Sequence, residues 1–202
     1  GDAANEDRPK IRVTGTIKGV SVRRQNDKVV GNNIALDLVI ENMGNDALIF
    51  FADQIDVSDG ISRTLNGKLV GRFTNVGSSF IKSRSEMLTT WSADPSNSNR
   101  LTKLLPGEKL KVESWLMLDS DQLVSDPTQT IGRLRTMGKL CLTVRTTFVD
   151  PVYQFNGHIQ SSRTLWALLR SQVLGQGYLW LDEATSEPIP FDMNETKVTT
   201  EP

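Results

Sequence analysis

The sequence predicts a mainly-β protein, an immunoglobulin-like antiparallel β-sandwich carrying one inserted helix. Three observations lead there. Short segments alternate apolar and polar residues at the two-residue period of a half-buried strand. Gly, Asn and Pro turns separate them at short intervals. The regular strand–helix alternation that a parallel α/β sheet requires is absent.

The elements follow in order. In "KIRVTGTIKGVSVR" (10–23), Ile11, Val13 and Ile17 alternate, and the phase then changes to Val20 and Val22. Gly19 sits at the change and predicts a β-bulge. In "NIALDLVIEN" (33–42), Ile34, Leu36, Leu38 and Ile40 face one way, and Asp37 and Glu41 the other. "NMGND" (42–46) is a turn in which Gly44 and Asn45 are expected to take positive φ. "ALIFFA" (47–52) is apolar on both faces and predicts a strand covered twice. Hairpin signals fill 53–86, with Asn66-Gly67 the strongest turn, and 86–94 reads as a strand. Leu105-Pro106-Gly107-Glu108 predicts a type II turn, because proline presets φ at its first corner and glycine takes the positive φ of the second. It feeds the strand "KLKVESWLML" (109–118). There Leu110, Val112, Leu116 and Leu118 alternate with Lys111 and Glu113, but Trp115 and Met117 stand on the polar side. Segment 119–138 crosses the fold with a short helical turn, and "KLCLTVRTTFVD" (139–150) is a strand with Cys141 opposite Leu140 and Leu142.

The inserted helix is expected over 161–174, with Ser161 or Ser162 as N-cap, Gly175 just past its end, and Leu165, Leu168, Leu169 and Val173 at helical spacing. A last strand follows at 178–191. The domain boundaries are therefore 1–10 for an N-terminal tether, 11–192 for one sandwich domain and 193–202 for a flexible tail.

The totals bound the function. The 202 residues carry a net charge of −1, with 38% hydrophobic and 23% charged residues, as in ordinary globular domains. That balance, with basic residues scattered among acids, argues against nucleic-acid binding. The longest apolar run, Ala47 to Ala52, is far too short to span a membrane as a helix. With a single cysteine, Cys141, and a single histidine, His158, the chain offers neither a disulfide nor the ligands of a structural zinc site. His158 has no nucleophile in a Gly-x-Ser-x-Gly turn to serve. Asp119, Asp121 and Asp126, and likewise Asp53, Asp56 and Asp59, are calcium candidates by charge. Neither set has EF-hand spacing, and aspartate also favours turns by bonding its own backbone. No glycine-rich phosphate loop is present. No cofactor, metal or catalytic residue is therefore expected.

The stretches "LVIENMGNDALIFF" and "LLPGEKLKVESW" resemble bacterial immunoglobulin-like sandwich domains of extracytoplasmic proteins. The shared features are a strand ending in Asn-x-Gly, a strand of large apolar residues, and a Leu-x-Pro-Gly-Glu turn opening a later strand. The layout is also similar to the small bacterial proteinase-inhibitor sandwich, with a tryptophan soon after the Pro-Gly-Glu turn. The resemblance covers residues 33–118 and rests on turn chemistry and alternation. It implies a sandwich fold and an envelope location, periplasmic or at the cell surface; the small, polar and charged opening "GDAANEDRPK" (1–10) separately suggests a tether left after a leader is removed. The resemblance implies no catalytic residue.

The aromatic residues are the remaining signal. Trp91, Trp115, Trp166, Tyr178 and Trp180 form the candidate surface for a protein or glycan partner. The competing expectation is a second buried cluster, with the helix at 161–174 roofing Trp115 and Met117. On that expectation Trp115→Ala costs about 3–5 kcal/mol. The sequence thus predicts a non-catalytic binding or assembly module of the bacterial envelope. The alternatives are a carbohydrate-binding domain using the aromatics, and a proteinase inhibitor acting through 119–138.

Overall fold

The computed structural model describes residues 10–51, 55–65, 68–79, 81–84, 89–92, 100–118, 127–148, 175–180 and 182–200. Side chains are described over 10–50 and 102–146 with gaps, over 175–200 except at 181, and at Val57. The fold is mainly β and sandwich-like.

The strands are β1 (Ile11–Gln25), β2 (Lys28–Asn42), β3 (Leu48–Phe51), β4 (Ile55–Leu65), β5 (Lys68–Ser79), β6 (Ile81–Arg84), β7 (Thr89–Ser92), β8 (Arg100–Leu104) and β9 (Lys109–Leu118). After a short helix at Thr130–Thr136 come β10 (Lys139–Leu142), β11 (Arg145–Phe148), β12 (Tyr178–Leu179), β13 (Glu183–Thr185), β14 (Ile189–Asp192) and β15 (Val198–Thr200). They form three sheets. The first runs β15-β1-β2-β9-β6, the second β13-β11-β4-β10-β14 with β5 on β4, and the third β12-β3-β8-β7. Pairing is antiparallel except at two short edges, β1–β15 and β12–β3, which are parallel. The purely antiparallel arrangement expected is thus modified where the chain's last segments return to earlier strands.

The first sheet is the best formed. Asn26 and Asp27 adopt φ of 49° and 60°, so the β1–β2 hairpin turns through two left-handed residues, as the right-handed strand twist favours. The register shifts between Ile17 and Gly19, and the bulge expected at the glycine is present. Ile34, Leu36, Leu38 and Ile40 are buried on one face of β2, as the alternation predicts. The turn before β9 is type II as expected. Gly107 has φ +80, and Glu108 N–H donates to the Leu105 carbonyl at 3.0 Å. The Glu108 carboxylate accepts from Leu105 N–H at 2.8 Å and locks the corner.

The β2–β3 turn uses other chemistry than expected. None of its residues takes positive φ. The fully buried Asn42 side chain organises it instead. Its Oδ1 accepts from Gly44 N–H, and its Nδ2 donates to the carbonyls of Asp46 and Leu104 at 2.8 and 2.9 Å. An Asx-type turn satisfies the same backbone groups without left-handed residues.

One apolar core joins the sheets. The inner face of the first sheet packs with Leu140, Leu142, Ile189 and Phe191 of the second and Leu48, Phe50 and Leu104 of the third. Leu48, Ile49 and Phe50 are all buried, as expected of a strand covered twice. The strand expected over 139–150 is broken into β10 and β11, both pairing with β4. Ser186 holds the break. Its N–H donates to the Val144 carbonyl at 2.7 Å and its Oγ accepts from Val144 N–H at 2.9 Å.

The tail expected from 193 is corrected. Met193 is fully buried, and β15 pairs with β1 at Val20–Val22. A charged, threonine-rich stretch reads as solvated, but an open strand edge supplies its hydrogen bonds. The helical turn expected within 119–138 is the helix Thr130–Thr136, anchored by buried Leu134. Gly175 has φ +78. The helix placed at 161–174, the hairpin turn at Asn66-Gly67, residues 1–9 of the expected tether 1–10, His158, and Asp119, Asp121 and Asp126 lie outside the described residues.

Candidate functional site

The most distinctive surface is the outer face of the first sheet, where β9 passes Trp115. From the turn at Gly107 the strand alternates cleanly. Leu110, Val112, Ser114 and Leu116 are buried, and Lys111, Glu113, Trp115 and Met117 are exposed. Trp115 keeps 41% and Met117 40% of their surface in solvent. The helix expected to roof Trp115 and Met117, at 161–174, lies outside the described residues. The cost of about 3–5 kcal/mol belongs to a fully buried side chain, so an indole that is 41% exposed is expected to cost less.

Register shows what surrounds the indole. Trp115 lies opposite Ala35 of β2, which lies opposite Gly19 of β1. Along this row the ring is flanked by a methyl group and a hydrogen, and Lys197 lies beyond Gly19. The next row is Ser21, Asn33 and Met117. Beyond it lies Gly31, the cross-strand partner of Arg23. A Cβ at Gly31 would come 3.4 Å from Arg23 Nη2, so this glycine leaves room for the guanidinium to lie across β2. Arg23 Nη1 then reaches the Met117 sulfur at 3.4 Å. An exposed indole, a thioether, a guanidinium and an amide thus share one low platform.

Charged rows border the platform on its other side. Lys18 pairs with Asp37 at 3.3 Å, and Glu41 holds Arg12 at 2.9 Å and Lys109 at 3.7 Å. This border stays hydrated and contributes little to stability. The pairing of β6 with β9 covers Lys111 to Ser114, so Trp115 begins just past it.

The other predicted site residues are distributed. Tyr178 is exposed on β12, at the edge of the third sheet. Trp180 is partly buried against the main core. Trp91 belongs to β7, paired with Leu101, and its side chain is outside the described set, as is all of Trp166. Trp115 thus lies in the first sheet, whereas Trp91 and Tyr178 lie on the two outer strands of the third. Trp115 finds its neighbours in Met117, Arg23, Asn33 and Ala35, none of which the sequence singled out as site residues. The signal was the wrong-phase Met117 together with the β1–β2–β9 register. The register was not readable before the Asn26-Asp27 turn and the bulge were known.

Among the described residues no group of three or more His, Cys, Asp or Glu is placed to hold a metal ion. Cys141 is half-buried and in no disulfide. No described helix is long and apolar enough to cross a membrane. Comparison with protein-family models and with curated proteins gives no match.

Proposed function

We propose that the protein is a non-catalytic binding or assembly module of the bacterial cell envelope, periplasmic or at the cell surface. Its contact surface is the platform around Trp115 and Met117. One observation carries the reading. Two large apolar side chains stand about two-fifths exposed on the solvated face of a sheet whose other face supplies the core. Exposed apolar clusters bordered by charge are characteristic of interaction sites. Tryptophan and arginine are also the side chains that dominate binding energy at such sites.

The test is capture of envelope partners with the native protein and with Trp115→Ala. Loss of capture by a folded variant supports the reading, and unchanged capture excludes this platform. Fractionation of the native host tests the location.

A glycan ligand is the second reading, and the guanidinium near the indole favours it. A sugar ring stacked on Trp115 would have the Arg23 guanidinium in the neighbouring rows for its hydroxyl groups. Glycan-array binding that disappears in Trp115→Ala supports this reading over a protein partner. An array without signal removes it.

A further inference from the structure

A second site emerges from hydrogen-bond accounting along the free edge of β1. In an antiparallel pair, alternate residues direct both backbone groups toward the partner strand or away from it. Lys10 points toward β2, since its carbonyl accepts from Met43 N–H. Val13 points away, since its carbonyl accepts from Glu187 N–H at 2.8 Å. Thr14 and Thr16 therefore bond to β2, whereas Gly15 and Ile17 direct N–H and C=O outward. Beyond the bulge, Val20 N–H points outward as well and donates to the Lys197 carbonyl at 2.9 Å.

The segment 187–197 thus touches the β1 edge at both ends and leaves it in between. Its middle, β14, pairs with β10 instead. Among the described residues, the outward groups of Gly15 and Ile17 have no partner. Beside them lies a cleft of about 360 Å³, lined by Gly15 to Lys18, by Pro190 to Asp192, and by Glu195 and Thr196. Its outer wall is preorganised. The Asp192 carboxylate accepts from Asn194 N–H, and the Asp192 carbonyl accepts from Glu195 N–H, Thr196 N–H and Thr196 Oγ1.

We propose that this cleft binds a short extended peptide bearing a basic side chain, which adds to the β1 edge as a strand. Unpaired donors and acceptors repeating every second residue match an extended backbone. Engaging Gly15 and Ile17 takes about three peptide residues. A second copy of the chain does not fit, because Glu187 and Lys197 already occupy the edge on either side. The basic side chain is called for by Asp192 and the exposed Glu195 on the wall, while Lys18 on the other rim is paired with Asp37. The cleft shares no residue with the Trp115 platform, so the two readings stand or fall separately.

The experiment follows backbone amides by ¹⁵N NMR as the blocked peptide acetyl-Val-Lys-Val-amide is added. In the free protein, Gly15 and Ile17 amides exchange with solvent much faster than those of Thr14 and Thr16. Peptide slows the Gly15 and Ile17 amides roughly tenfold or more. N-methylation of the pairing amides weakens binding roughly tenfold. Replacing lysine by glutamate in the peptide, or Glu195→Lys in the protein, weakens it about threefold. Protection of Gly15 and Ile17 already present in the free protein overturns the proposal. So does an N-methylated peptide that binds equally well, or an absence of shifts at the cleft at about 10 mM peptide. The peptide controls keep the test decisive if the protein variant fails to fold.

Discussion

The two faces of the first sheet are made from the same strands and serve opposite purposes. On the inner face of β2 and β9, Ile34, Leu36, Leu38, Ile40, Leu110, Val112 and Leu116 are almost fully buried. On the outer face the same strands carry paired charges, and then Trp115 and Met117 in solvent. The side chains are similar in apolar size, but the inner ones meet two further sheets. Apolar area stabilises a fold only when something covers it, at about 25 cal/mol per Å² removed from water. The indole of Trp115, with 41% of its surface in solvent, therefore keeps part of its apolar area for association.

Substitutions can break or sharpen this contrast. The largest effect is expected on the inner face, where Leu36→Ala lowers stability by about 2–5 kcal/mol in chemical denaturation. Gly15→Val comes next. A Cβ at Gly15 runs into the side chains of Ile189 and Leu38, so the variant loses about 1–3 kcal/mol or more through overpacking. A thermal melt that leaves Gly15→Val unchanged would show that the sheets are not in close contact there. On the outer face, Arg12→Ala removes an ion pair that is half in solvent and costs less than about 1 kcal/mol, and less still in high salt. For Trp115→Ala the loss is expected to stay below the about 3–5 kcal/mol of a fully buried tryptophan, because 41% of its surface is in solvent. In that variant iodide quenching of the remaining tryptophans identifies the lost fluorescence as the accessible component. A large loss of stability in Trp115→Ala would abolish the distinction between the faces.

Legibility followed the range of the interactions. Strand β2, the twice-covered β3, the Gly19 bulge and the Pro106-Gly107 turn were readable because periodicity and left-handed φ are local properties. The Asn26-Asp27 hairpin was present in the sequence but lacks the glycine that usually marks such a turn. Asn42 was readable as a turn residue, yet its bond to Leu104 joins residues far apart in the chain. The candidate site was half legible. The wrong phase of Trp115 and Met117 announced an unusual face, but alternation cannot say whether another layer lies above it.

By itself the sequence determined a mainly-β chain, the inward and outward sides of its best strands, and the residues that break the pattern. Those follow from the two-residue period of the strand and from the steric limits on φ. Only the tertiary structure decided that Trp115 stays in solvent, that Gly31 leaves room for Arg23 to reach Met117, and that 198–200 closes onto β1 while Gly15 and Ile17 keep an open edge. Those outcomes depend on register and on which segment returns to which edge, and both are settled by contacts between residues distant in the chain.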